Sequence, residues 1–94
     1  MFQNQRYLTR GIQIEIPPEL QLFIWGCIDQ LPPERDYLQV FRLEEMGEMQ
    51  RISHESEQPE FHREYLIPSA KPINAKLYVI DDGDHSTMLL ASEY

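Results

Sequence analysis

A single long stretch of helical spacing, residues 17–31, constrains the fold of this chain more than any other feature. Its apolar residues recur every three or four positions, which places them along one side of a helix. They are Leu20, Phe23, Ile24, Cys27, Ile28 and Leu31. Pro18 suits the first helical position, and Pro32 ends the pattern because a proline moves the preceding residue out of helical geometry. The stretch predicts one main helix with its apolar stripe in the core.

Two large apolar residues of this helix lie off the stripe. At about 100° per residue, Leu22 and Trp25 project away from the stripe's centre, beside Gly26 and Asp29. Either a second layer of the protein covers them, or they form a docking surface with the tryptophan as its anchor. Leu22, Trp25, Gly26 and Asp29 are therefore candidate interaction residues.

Segments with strand character surround the helix. Residues 5–16 place Ile12, Ile14 and Ile16 at alternate positions, which is typical of a half-buried strand, or of two short strands with Gly11 as a bulge or turn. Further strands are predicted at residues 36–44, 49–57, 60–67 and 75–81. Together these segments supply the sheet on which the helix packs.

The later segments differ in the burial that their side chains predict. Residues 36–44 carry apolar groups on both faces, as a central strand with some cover on each side does. Residues 49–57 are more polar and predict an exposed strand near an edge of the sheet. Residues 85–94 fit a returning strand, which we favour, or a short helix capped by Ser86.

This order of elements predicts an α+β fold. We expect one domain, residues 1–94, with one main helix packed on a mostly antiparallel sheet of about five strands. A hydrophobic content of 41% is enough for a folded core in a chain of 94 residues.

The charge of the chain is strongly acidic. Sixteen Asp and Glu residues against eight Lys and Arg residues give a net charge of -8. This charge argues against direct nucleic-acid binding, because phosphates need basic side chains to neutralise them. A lone cysteine, Cys27, and the absence of a signal peptide or membrane-spanning run predict a cytoplasmic protein with no membrane partner.

The densest group of functional side chains is the run from Asp81 to His85, which contains Asp82 and Asp84. Three interpretations stand: a hairpin turn, for which Asp-Gly is a strong signal, a surface recognition loop, or a metal site. Asp82, Asp84 and His85 are candidate interaction residues in the second of these. Gly83 falls where a calcium-binding loop would not place it, so we predict no metal ligand here.

Other catalytic and metal patterns are weak. The three histidines and Cys27 lack the short spacing of structural zinc sites. Asp84, His85 and Ser86 name the residue types of a hydrolase triad, but neighbouring residues do not converge as triad members do. We therefore predict no catalytic residue, no cofactor and no enzymatic function.

Four segments resemble the domain-of-unknown-function family nine-sixty. They are RYLTRGI at 6–12, PPELQLFIWGCID at 17–29, DYLQVFRLE at 36–44 and VIDDGDHSTMLLASEY at 79–94. Members of that family are small acidic proteins of Gram-positive bacteria and their mobile elements. The resemblance implies a single-domain, cytoplasmic and non-enzymatic protein, and it assigns no site residue.

Two functional hypotheses follow. In the first, the chain is a protein-interaction module that binds a protein partner or a second copy of itself through the Leu22 and Trp25 face or the acidic turn. In the second, it is an acidic inhibitor, encoded by a phage or other mobile element, that occupies the basic groove of a nucleic-acid enzyme. Binding by an acidic mimic should weaken steeply as salt rises, whereas apolar docking should not.

Overall fold

The computed structural model describes residues 2–94, in which six strands and two α-helices form. Their bounds, in chain order, are β1 (Gln5–Leu8), α1 (Arg10–Glu15), α2 (Pro18–Asp29), β2 (Leu38–Met46), β3 (Met49–Glu57), β4 (Glu60–Pro68), β5 (Ala75–Asp81) and β6 (His85–Leu90). A single 3-10 turn, Ala91–Glu93, follows β6. The predicted α+β class is confirmed, with six strands where about five were expected.

The strands form one sheet in the order β1, β6, β5, β2, β3, β4. All neighbours are antiparallel except β1 and β6, which run parallel with Tyr7 beside Thr87. The sheet therefore brings the first strand of the described chain next to the last. Its two edges are β1 and β4.

The main helix, α2, is confirmed. Pro18 is its first residue, and it ends at Asp29, three residues before Pro32. Four residues of the predicted stripe are buried on it: Leu20, Ile24, Cys27 and Ile28. They pack in one core with side chains of the central strands, including Phe41 and Leu77. Within residues 2–94, neither helix has the length and apolar character that crossing a bilayer requires.

The predicted strand over residues 5–16 is wrong after β1, because the chain turns into α1. Thr9 caps this helix, its Oγ1 accepting a hydrogen bond from the N–H of Ile12 at 3.4 Å. Ile12 and Ile16 lie four residues apart and are both buried, whereas Ile14 is 69% exposed. The same isoleucines fit helical spacing and strand alternation, and the capped helix buries two of them against the sheet.

Residues 49–57 form a strand next to the edge strand β4, as expected, but the expected exposure of this strand is wrong. β3 lies between β2 and β4, and Gln50, His54 and Ser56 are buried on it. The Gln50 side chain accepts a hydrogen bond from the N–H of Ile73 at 2.8 Å and donates one to the Ile73 carbonyl at 3.0 Å. The polar residues of β3 therefore serve internal hydrogen bonds, which offset the cost of burying them.

Short turns connect β2 with β3 and β3 with β4. Gly47 has a φ of 62° in the turn between β2 and β3, a conformation that glycine adopts without strain. The peptide between Gln58 and Pro59 is cis, in the turn between β3 and β4. Residues 85–90 form the strand that we favoured over a helix.

Candidate interaction surfaces

One face of the sheet carries no helix within the described chain. Side chains alternate along a strand, and the core residues Phe41, Leu77 and Met88 lie on the side that packs with α1 and α2. The opposite side carries seven uncharged side chains on β1, β6, β5 and β2, which we call the open-face patch. They are Tyr7, Leu38, Val40, Tyr78, Ile80, Thr87 and Leu89.

The strand register places the patch in two neighbouring rows. One row runs Tyr7, Thr87, Ile80, Leu38 across four strands, and the other runs Leu89, Tyr78, Val40. Tyr7 is 51% exposed and the others are partly buried. The ring of Tyr94 meets that of Tyr78 edge to face, with centroids 5.4 Å apart. The rows form a continuous apolar and aromatic surface.

Most side chains on the rest of the open face are charged, with Ser53 and Leu66 among the exceptions. Its carboxylates on β3 and β4, which we call the acidic half, are Glu55, Glu57, Glu60 and Glu64. Arg42 forms an ion pair with Glu55. Arg51 forms an ion pair with Glu64 and lowers the pKa of the Glu64 carboxyl below its usual value. The face therefore divides into a mostly uncharged part on four strands, with Lys76 and Arg42 at its border, and an ionic part on β3 and β4.

A cleft of about 410 Å³ lies where the patch meets the acidic half. Tyr37, Leu38 and Glu57 are among its lining residues. Asp36 holds together the two segments that line this cleft. Its carboxylate accepts hydrogen bonds from the backbone N–H groups of Leu38, Glu57 and Gln58 at 2.9–3.3 Å. Burial opposes ionisation of Asp36, but these N–H groups outweigh it and lower its pKa.

A second cleft, of about 480 Å³, lies between the start of α2 and the segment after β4. Its lining is mostly apolar and includes Leu20, Phe23 and Ile67. Gln50, its buried polar residue, has its side chain engaged by the backbone of Ile73 and Glu44. The other polar groups in its lining are Glu19, Ser69 and Lys71.

The predicted helix surface is partly occupied by the chain itself. Leu22 is 73% exposed, but Trp25 packs partly against the core, and the Arg6 guanidinium lies 4.6 Å above its ring. Arg6 also forms an ion pair with Asp29. A Cβ added at Gly26 meets no atom within 4 Å. Of the two apolar residues, Leu22 is the one left open.

The run from Asp81 to His85 is a hairpin turn between β5 and β6. The N–H of Asp82 donates to the His85 carbonyl at 3.1 Å, and Nε2 of His85 lies 3.0 Å from Asp82 Oδ2. Gly83 has a φ of 103°, and Asp84 is exposed. In the described part of the chain, no three His, Cys, Asp or Glu side chains gather as metal ligands. Of the three interpretations, the structure supports the hairpin.

Asp81 connects this hairpin to the N-terminal segment. Its carboxylate accepts hydrogen bonds from the N–H of Phe2, from the N–H of Gly83 at 2.8 Å and from the Asn4 side chain at 3.1 Å. Burial raises the pKa of Asp81, but these donors outweigh it and the net shift is downward. The Asp81 carboxylate therefore holds the N-terminal segment against the hairpin between β5 and β6.

The profile of one protein family, DUF960, matches residues 5–93. This chain belongs to that family. DUF960 is described as a staphylococcal protein of unknown function, and the resemblance stated from four sequence segments is thereby confirmed. None of the curated proteins matches the chain.

This DUF960 chain also shares its fold with a solved structure. A crystal structure of a protein of unknown function from Enterococcus faecalis aligns with a TM-score of 0.83 and 22% sequence identity. The alignment covers 97% of this chain and 91% of the other. At this identity the likeness establishes the fold alone.

The interaction residues predicted for this DUF960 chain lie on separate elements. Leu22, Trp25, Gly26 and Asp29 lie together on α2, whereas Asp82, Asp84 and His85 lie in the hairpin. His85 borders the open-face patch, because its ring meets that of Tyr7 edge to face at 5.2 Å.

The patch itself was missed, although its signal was present. Leu38 and Val40 put apolar groups on the second face of β2, and this pattern was interpreted as cover on both faces. No second layer covers that face within residues 2–94.

Proposed function

We propose that this protein is an interaction module that binds a protein partner through the open-face patch. The observation that carries the proposal is the uncovered row of uncharged side chains across β1, β6, β5 and β2. The largest contiguous apolar surface of a soluble protein is often a binding site, and this surface includes the half-exposed Tyr7. The proposal needs no catalytic residue and no cofactor.

The composition of the patch supports protein binding. Tyr7 and Tyr78 supply rigid aromatic area, and tyrosine is enriched where proteins bind one another. The cleft beside Leu38 offers a recess for an anchoring side chain. Charged groups, among them Arg42 and Glu55, lie at the border, which fits the polar rim of an interface.

The test is affinity capture from a staphylococcal extract with immobilised wild-type protein, Val40→Lys and Leu22→Lys. Both variants replace an apolar side chain by lysine, and they lie on opposite sides of the molecule. In the register, position 40 is opposite Glu55, so a lysine there gains an attractive cross-strand neighbour. We expect Val40→Lys to abolish retention of partners that the wild type holds and Leu22→Lys to keep it.

The opposite result would move the docking surface to α2. If Leu22→Lys loses the partner and Val40→Lys keeps it, the helix face is the working surface. Circular dichroism and a thermal melt on each variant separate lost binding from lost folding.

A second candidate is the acidic inhibitor of a nucleic-acid enzyme. The observation that favours it is the pairing of basic groups within the chain: Arg6, Arg42 and Arg51 each form an ion pair. These three arginines are paired with carboxylates of the chain itself, and the chain keeps an excess of carboxylates over basic side chains. An inhibitor of this kind should lose its partner when NaCl is raised from about 0.05 M to about 0.5 M, whereas apolar docking should survive.

A further inference from the structure

We propose that a second copy of this chain occupies the open-face patch. The two sheets pack face to face about a twofold axis that runs parallel to the strands. This inference rests on the proposed function, because it names the partner of the same surface. Two features of the open face carry it, the position of its charges and the position of Tyr7, and the size of the face sets how strong the association can be.

The charges select the direction of the axis. Each copy carries a net charge of -8, and the acidic half lies beside the patch rather than around it. An axis across the strands superimposes the two acidic halves. An axis along the strands reverses the strand order of the second copy. The acidic half of each copy then lies outside the contact, one at each end of the paired patches.

The distance between the acidic halves then makes their repulsion small. With strands about 4.8 Å apart, they lie on the order of 25 Å from each other. Charges are largely screened beyond about 8 Å at physiological salt. The seven patch side chains are uncharged. The charged groups nearest the contact are the Lys76 ammonium, 5.6 Å from the Tyr78 ring, and Glu57 in the lining of the cleft, so association desolvates few charges.

The same axis brings Tyr7 to the cleft of the other copy. Rotation about an axis along the strands preserves position along them and exchanges β1 with β2. Tyr7 and Leu38 lie in one row, so Tyr7 of each copy comes to lie over Leu38 of the other. The cleft of about 410 Å³ is lined by Tyr37, Leu38 and Val40 at that point. The half-exposed tyrosine ring thus meets the recess as an anchor.

The size of the face sets the strength of association. The four strands of the patch span about 19 Å, in a molecule that measures 37 × 27 × 20 Å. The area that each copy can bury through the patch is therefore smaller than the ~800 Å² per partner of a standard interface. Contacts of that size are weak. We expect a dissociation constant on the order of 10–100 µM.

Sedimentation equilibrium tests this proposal on the wild type, Tyr7→Ala, Val40→Lys and Leu22→Lys, from about 5 to about 500 µM. We expect a reversible wild-type dimer that Tyr7→Ala and Val40→Lys weaken at least about tenfold and Leu22→Lys leaves intact. Raising NaCl from about 0.05 M to about 0.5 M should strengthen the dimer, since the two copies carry like charge.

Two results overturn the proposal. One is a wild-type protein that stays monomeric at about 500 µM and high salt. The other is a dimer that Leu22→Lys dissociates and the patch variants do not. A monomer that still captures a different protein in a manner sensitive to Val40→Lys overturns this inference and leaves the proposed function standing.

Discussion

His54 is the residue with the least ordinary surroundings in the chain. It is 0% exposed, its Nε2 lies 2.7 Å from the side-chain oxygen of Gln39, and its ring stacks on Phe41 with centroids 4.2 Å apart. Nδ1 has no hydrogen-bond partner among the described residues. Burial, with a smaller contribution from the charge of Arg63, lowers the pKa of His54 to about 4. The folded protein therefore holds this histidine neutral.

We predict that His54 makes the protein less stable in mild acid. Above pH 6.5 it is neutral in both states and contributes no pH dependence. As the pH falls from 6.5 towards 4, the unfolded chain takes up a proton at His54 that the folded chain excludes, so stability falls by up to roughly 3 kcal/mol. Urea unfolding at pH 7, 5.5 and 4.5 measures this loss.

The matched variants are His54→Gln, which keeps a polar side chain beside Gln39, and His62→Gln on the exposed face of β4. His54→Gln should flatten the pH dependence of the free energy of unfolding in this window, and His62→Gln should retain it. Equal slopes in His54→Gln and the wild type would show that another group carries the effect.

At the scale of elements, α1 depends on a contact with the far end of the described chain. The Glu93 carboxylate accepts hydrogen bonds from Thr9 Oγ1 at 2.6 Å, from the N–H of Gly11 at 3.1 Å and from the N–H of Leu90 at 2.8 Å. These donors lower the pKa of Glu93. A carboxylate at the start of a helix also complements its positive end. Glu93 therefore joins α1 to the end of β6.

We predict that Glu93→Gln lowers the melting temperature by a few degrees at pH 7, because the charged acceptor of three hydrogen bonds is lost. Its lowered pKa means that the stabilising effect is present above the usual carboxyl range and is lost as the pH falls through the folded value. The difference between variant and wild type should thus shrink in strong acid. Glu48→Gln, at an exposed turn position, is the control.

The predictions of helices and strands succeeded where the pattern within the segment determines its structure. They failed where contacts with residues far away in the sequence determine it. The spacing from Leu20 to Ile28 and the prolines around it suffice to place α2. Residues 10–15 could not be assigned in this way, because Ile12 and Ile16 fit two periods and the Glu93 contact lies more than 80 positions away. The polarity of β3 was misinterpreted for the same reason, since its partners, such as Ile73, are remote in sequence.

The candidate surfaces show the same division. The Asp82 to His85 turn was one of the interpretations drawn from residue types alone. The open-face patch required the register, which brings Tyr7 and Leu38 into one row from opposite parts of the chain. Likewise, the sequence left Trp25 either covered by another part of the chain or an anchor, because nothing in it shows that Arg6 lies over the ring.

At the scale of the whole molecule, charge is the dominant property. Sixteen carboxylates share eight basic side chains, and the ion pairs seen here, such as Arg51 with Glu64, lie at the surface. Pairs of this kind contribute little stability, about 0–1 kcal/mol each. The unbalanced charge therefore opposes compaction more than the pairs support it.

We predict that salt stabilises the fold. Raising NaCl from about 0.01 M to about 0.3 M should raise the melting temperature by a few degrees, because screening relieves repulsion among excess carboxylates. Fluorescence of Trp25 at about 1 µM protein follows unfolding below the concentrations at which self-association is expected. A melting temperature that falls with salt would mean that the ion pairs outweigh the repulsion.

The parallel pairing of β1 with β6 also fixes when this protein can finish folding in the cell. In a nascent chain, residues 5–8 leave the ribosome long before residues 85–90, with which they pair among the described strands. The hairpins of β2, β3 and β4 can form during translation, since their partners are adjacent in sequence. The N-terminal edge must wait for residue 90 to leave the exit tunnel. A ribosome stalled before that point would hold a chain in which β1 is unpaired and α1 has lost the contact with Glu93.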